Sequence, residues 1–164
     1  MFSSLWAGIT LASPDMHRLV ASGFGVGLIP NRLWGSDNGA GTFGAALATV
    51  LAFVWIDAQW WVHAAIFLVF LGLSLWSSKP FSLADEDPGW VVIDEMAGTF
   101  VAVIGLAGWP WVVAVVVARL ADIFKVLPGV RRAEMLHGPL GVTMDDVVAG
   151  LYGLAAGWAL TAML

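Results

Sequence analysis

The chain has no cysteine. That excludes disulfides, thiolate metal sites and a cysteine nucleophile. Charge is scarce too: charged residues are 12% of the 164 positions, against about 25% in a soluble domain. Lys and Arg together number seven and the formal net charge is −5, so the electrostatic footprint of a nucleic-acid binder is missing. No Walker-type GxxxxGK(S/T) loop and no Ser-His-Asp spacing occurs. The opening MFSSLWAGIT lacks a basic n-region, so it does not read as a cleaved signal peptide. No internal repeat or low-complexity segment is visible.

What fills the space is apolar. Hydrophobic residues are 60% of the chain and mean hydropathy is +0.87, values that imply an integral membrane protein. Of the ten Trp, Trp60, Trp61, Trp76, Trp90, Trp109 and Trp111 flank apolar runs as an interfacial belt would. The expected fold is all-α: one domain over residues 1–164, an integral membrane helix bundle of about five membrane helices. A Gly-rich N-terminal segment, re-entrant or interfacial, precedes them.

In chain order, residues 1–18 weakly suggest a short interfacial helix. Residues 19–30, LVASGFGVGLIP, are too short to span as a helix. Gly23, Gly25 and Gly27 suggest a broken segment whose backbone approaches something closely. Helices are expected over residues 42–56, 60–76, 90–107, 111–127 and 145–164. The intervening loops 31–41, 77–89 and 128–144 are polar. The turns 57–59 and 108–110 are minimal and carry no Lys or Arg. The basic residues therefore gather on the side of the polar loops, which the positive-inside rule makes cytoplasmic.

Three charged clusters fall on that side. Asp94 and Glu95 open the third helix, adjacent carboxylates that are costly to desolvate and about 100° apart around the axis. They read either as satisfying the helix dipole or as flanking a hard cation such as Mg²⁺, which takes oxygen ligands and few carboxylates. Arg119, Asp122 and Lys125 recur every three residues near the end of the fourth. They are either a salt-bridge ladder or a metal-ligating Asp122 between two phosphate-binding cations. Asp145 and Asp146 are expected at the N-cap and first turn of the fifth, with Asp145 the better capping residue. Asp146, Gly150, Gly153 and Gly157 share one helical face, so Asp146 should point into the bundle. His63 reads as an interfacial or packing residue. His137 reads as a loop residue within reach of a phosphate.

These residues match a family. The stretches GFGVGLIP at 23–30, GT at 41–42, VVIDEMAG at 91–98, ARLADIFK at 118–125 and HGPLGVTMDDVVAG at 137–150 make the chain resemble phosphatidylglycerophosphatase A. This is a bacterial, Mg²⁺-dependent membrane phosphatase family. The resemblance implies metal ligation by Asp94, Glu95, Asp122, Asp145 and Asp146, with catalytic roles for Asp94, Asp122 and Asp146. It implies active-site roles for Arg119 and Lys125, expected to bind substrate together with Thr42 and His137, in a multi-pass protein of the bacterial inner membrane. The substrate would be phosphatidylglycerophosphate and the product phosphatidylglycerol. Ala40 stands where the family usually has Pro, and the loop before Gly41 is long, departures that bear on the substrate more than on the reaction class.

The attacking group stays open, either a water activated by a carboxylate or an Asp that forms an acyl phosphate. A phosphatase for another lipid or a polyprenyl phosphate is an alternative. A CDP-alcohol phosphotransferase lacks its motif here. A small ion-coupled transporter would need charge at mid-membrane rather than at one face. The oligomeric state is not legible, because the glycine stripe suits either internal packing or a dimer.

Overall fold

The computed structural model describes residues 14–82 and 88–164. Residues 1–13 and the acidic part of the loop before residue 90, Asp85 to Asp87, lie outside the described residues. All regular structure among the described residues is helical. In order it comprises α1 (Pro14–Ala21), a 3₁₀ turn (Val26–Leu28), α2 (Ile29–Trp34), α3 (Ala40–Val54), α4 (Trp60–Ser77), α5 (Lys79–Ser82), α6 (Ile93–Ala102), α7 (Gly108–Phe124), α8 (Val130–Glu134) and α9 (Pro139–Thr161). Among the described residues one helix, α4, is long and apolar enough to cross a membrane, and α3 is a shorter apolar helix.

The bundle is arranged around α6, nine of whose ten residues are buried. Packed on it are α3, α4, α7 and α9. Phe100 stacks on Phe70 of α4 with ring centroids 5.0 Å apart, and Met96, Ile93 and Phe100 fill the centre of the core. At ten residues α6 rises only roughly 15 Å, about half of a bilayer core, and so is shorter than the expected 90–107. It starts late because the backbone before it is engaged elsewhere: the Val92 N–H donates to the Ala21 carbonyl at 2.8 Å. It stops early at a turn containing Gly105, whose φ of 70° is left-handed.

That turn is fastened by His63, which is fully buried. Its Nδ1 accepts from the Gly105 N–H at 3.3 Å and its Nε2 lies 2.8 Å from the Trp55 carbonyl. One imidazole thus joins the α3–α4 and α6–α7 turns, which makes His63 a packing residue.

The glycines of residues 23–30 do approach other backbone closely. A Cβ at Gly27 would overlap the Trp90 carbonyl, and one at Gly23 would sit 2.9 Å from Val92. The segment is a left-handed turn and a 3₁₀ turn leading into α2, laid against the entry to α6.

The start of α9 corrects the sequence reading. The helix begins at Pro139, six residues before Asp145, with Gly138 in the N-cap position at φ 68°. Pro at the first helical position needs no N–H and has its φ preset, so the proline that suggested a loop opens the helix instead. Asp145 and Asp146 lie in its second turn, and neither caps it.

The glycine face of α9 is consumed inside the chain. Gly150 lies against the Gly98 carbonyl and Val101, Gly153 against Ala114 and Ala118 of α7, and Gly157 against Leu106 and Pro110. Small residues let backbones approach to where dispersion contacts and shape do the holding.

Candidate active site

Close approach of α6, α7 and α9 brings the three charged clusters together. Asp94 and Glu95 occupy the first turn of α6, Asp122 the last turn of α7, and Asp145 and Asp146 the second turn of α9. Their carboxylates form two overlapping groups, Asp94–Glu95–Asp146 and Asp122–Asp145–Asp146. In each, one oxygen per residue lies within 4.8 Å of the others. Asp146 belongs to both. Its position follows from Gly98, where a Cβ would come within 2.7 Å of the Asp146 carbonyl oxygen.

Two cations reach the cluster. Arg119 Nη1 donates to Asp122 Oδ2 at 2.5 Å, and its Nη2 lies 3.4 Å from the Thr42 hydroxyl. Lys125 Nζ donates to Asp145 Oδ2 at 2.8 Å and to Glu134 Oε1 at 2.7 Å. Burial pulls the Lys125 ammonium down, but the hydrogen bonds and charges of Asp145 and Glu134 outweigh it and hold its pKa above the ordinary lysine value. Lys125 ends α7 in a left-handed conformation, φ 48°. The expected phosphate ligand is therefore already engaged by carboxylates. His137 is exposed and makes no hydrogen bond or ion pair among the described residues.

Five carboxylates against Arg119 and Lys125 leave an excess of negative charge in a mostly buried place. Asp94, Asp145 and Asp146 are 5, 6 and 8% exposed. Such an arrangement is costly unless compensated. Glu95 Oε2 and Asp145 Oδ1 are buried without a hydrogen-bond partner. Oxygen-only donors, surplus charge and orphaned buried oxygens fit a hard divalent cation.

Glu95, Asp122, Asp146, Arg119 and Thr42 line one end of a cavity of about 340 Å³ between α3 and α7, floored by Gly98 and Thr99 of α6. Lys125 and His137 do not line it.

Sequence reasoning missed Gly41. A Cβ there would overlap Glu95 Oε1 and come within 2.9 Å of Arg119 Nη2. The Gly-Thr pair was the available signal, but only its Thr was assigned a contact. Gly41→Ala meets mobile side-chain ends rather than backbone, so the fold should survive while Glu95 is displaced. We expect a loss of activity of about tenfold or more with melting temperature nearly unchanged; an equal fall in both would make Gly41 a packing residue only.

A family model described as Phosphatidylglycerophosphatase A matches residues 19–161. A Haemophilus influenzae protein named phosphatidylglycerophosphatase A is 31% identical over 161 residues, covering 93% of this chain and 91% of its own. The Escherichia coli protein of that name is 28% identical, covering 81% and 76%. A Bacteroides thetaiotaomicron protein named provisionally as a phosphatidylinositol-3-phosphatase is 36% identical, covering 82% and 86%. No solved structure matches the chain.

Proposed function

The chain belongs to the phosphatidylglycerophosphatase A family and is a phosphatase, and from that premise we propose that it hydrolyses the terminal phosphate monoester of phosphatidylglycerophosphate, giving phosphatidylglycerol and inorganic phosphate. The observation that carries the reading is the convergence of five carboxylates, from three helices, beside an arginine at the head of an apolar cavity.

In this reading Asp94, Glu95, Asp122, Asp145 and Asp146 hold Mg²⁺. Mg²⁺ would neutralise phosphate charge and lower the pKa of a bound water. Arg119 and the Thr42 hydroxyl bind phosphate oxygens, and a guanidinium fork suits them. Lys125 braces Asp145. Water adds to phosphorus as the glycerol C–O oxygen leaves with its electron pair. The water's proton goes to a carboxylate of the Asp146 cluster, and the leaving oxygen takes one back. Trapping a phosphorylated Asp122 or Asp146 would replace water attack with direct attack.

The exposed apolar residues support a membrane setting. Val54, Val50 and Phe53 on α3, Leu68 and Val69 on α4, and Val116, Leu120 and Ile123 on α7 are all exposed, and contiguous exposed apolar area marks a membrane or partner surface. We place the chain, as one domain, across the bacterial inner membrane. Its site then faces the cytoplasm with Arg32, Lys79, Arg131 and Arg132.

Detergent-solubilised protein should release phosphate from phosphatidylglycerophosphate with Mg²⁺, lose that activity in EDTA and regain it on Mg²⁺ addition. No release with Mg²⁺ present would sink the proposal. The Bacteroides relative's name favours one second reading, a phosphatase for a different lipid; faster release from phosphatidylinositol 3-phosphate would select it.

A further inference from the structure

We propose that the cavity between α3 and α7 is the subsite for the glycerol backbone and upper acyl chain of the lipid whose phosphate lies at the carboxylates, entered sideways from the bilayer. The inference rests on the lipid-phosphatase reading and adds where the rest of the lipid goes.

The walls are graded along their length. On α7, Val115, Arg119 and Asp122 follow i, i+4, i+7 spacing, so one face runs from apolar to cationic to acidic. Across the cavity, Thr42 of α3 meets Arg119 at the polar end. Ala45, Ala46 and Thr49 continue away from it on the same helical face. That apolar wall runs roughly 10 Å beyond Thr42 at 1.5 Å per residue. Small residues keep it open: Ala45 and Ala46 on one side, Gly98 beneath, Ala118 on the other. A volume of about 340 Å³ lies within the range of small-molecule sites and exceeds what a phosphate alone requires.

The mouth decides the occupant. Val116 and Leu120, both about half exposed, line the cavity and belong to a strip with Val112 and Ile123 on the outer face of α7. Val50 and Phe53 are exposed on α3 at 63 and 62%. A site for a water-soluble phosphate ester would gain nothing from an apolar rim. For a lipid the rim lets the chains remain in the bilayer while the head group reaches Arg119 and the acids. The apolar walls then contribute binding in proportion to the area they bury.

The test uses two lipids with one head group, dipalmitoyl and dibutyryl phosphatidylglycerophosphate, in mixed micelles. Ala46→Trp and Val116→Trp fill the cavity from exposed positions, so the core is untouched. Leu68→Trp, on the exposed face of α4 away from the cavity, is the comparison. Wild type should show higher kcat/KM for the dipalmitoyl lipid. Both cavity variants should lower the dipalmitoyl-to-dibutyryl ratio by about tenfold, the scale on which pocket shape discriminates chain length, and Leu68→Trp should keep it. An unchanged ratio in both cavity variants, including equal loss of both substrates, overturns the subsite. Wild type that hydrolyses both lipids equally also overturns it, while the phosphatase reading stands. Wild type inert on both overturns the two together.

Discussion

Asp146→Asn is expected to lower phosphate release by at least roughly 10²–10³-fold, the scale of losing one preorganised electrostatic group from an active site. Asp146 is the single residue common to both carboxylate groups, so its loss should weaken the proposed cation binding from α6 and from α7 at once. Asparagine keeps the shape and can donate to neighbouring oxygens. The same change also removes an acidic group from a buried cluster crowded with carboxyl groups. Without divalent cation the variant should therefore melt higher than wild type, and the rise in melting temperature that Mg²⁺ is expected to give wild type by mass action should shrink or vanish. Activity lost, metal-free stability gained and Mg²⁺ stabilisation lost form a joint signature. A variant that keeps Mg²⁺-dependent turnover, or one that simply unfolds, would remove Asp146 from the centre of the site. Asp94→Asn should follow the same pattern more weakly, since Asp94 belongs to one group only.

Gly150→Leu should be the most damaging change outside the acids. A Cβ at Gly150 would overlap the Gly98 carbonyl and the Val101 side chain. The first of these is backbone, which cannot rotate away. Helices α6 and α9 must separate, and overpacking of this kind costs about 1–3 kcal/mol, occasionally more. The site then opens as well, because Asp146 lies one turn before Gly150 and Asp94 one turn before Gly98. Gly72 in α4 is the natural comparison, since a Cβ there meets nothing within 4 Å. Gly72→Ala should be neutral or stabilise by about 0.5–1 kcal/mol through lost unfolded-state freedom. Thermal melts and phosphate release measured side by side decide it: wild-type activity in Gly150→Leu would show that the α6–α9 contact does not set the site.

Earlier residues tell how legible this protein was. Apolar runs bounded by polar loops and tight turns gave the long helices close to those found, because long uninterrupted apolar segments favour helices, but the short helices α2, α5 and α8 fall in stretches that read as loops or as a broken segment. α4 was expected over 60–76 and occupies Trp60–Ser77. The glycine face of α9 and the inward aim of Asp146 were also readable, since spacing alone puts Asp146 on the face of Gly150, Gly153 and Gly157. The ends of α6 and the start of α9 were not. They depend on Ala21, His63 and Gly105 holding α6 short, and on Pro139 opening a helix rather than closing a loop. The supposed cap, Asp145, turned out to be a partner of Lys125, as only the meeting of α7 and α9 could show.

The sequence by itself thus determined the chemistry available: five carboxylates, an arginine and a lysine, no thiol, and an apolar helical chain whose motifs mark a phosphatase family. Those are properties of residue type and spacing. The tertiary structure decided which of them meet. It grouped the carboxylates into two sets sharing Asp146, drew Lys125 off to Asp145 and Glu134, and left His137 in the open. It also revealed Gly41 as the space for Glu95 and opened the cavity between α3 and α7. The reason is physical: distances of a few ångströms between helices depend on which small residues allow backbones to touch, and that is a property of pairs of surfaces that no single stretch of sequence contains.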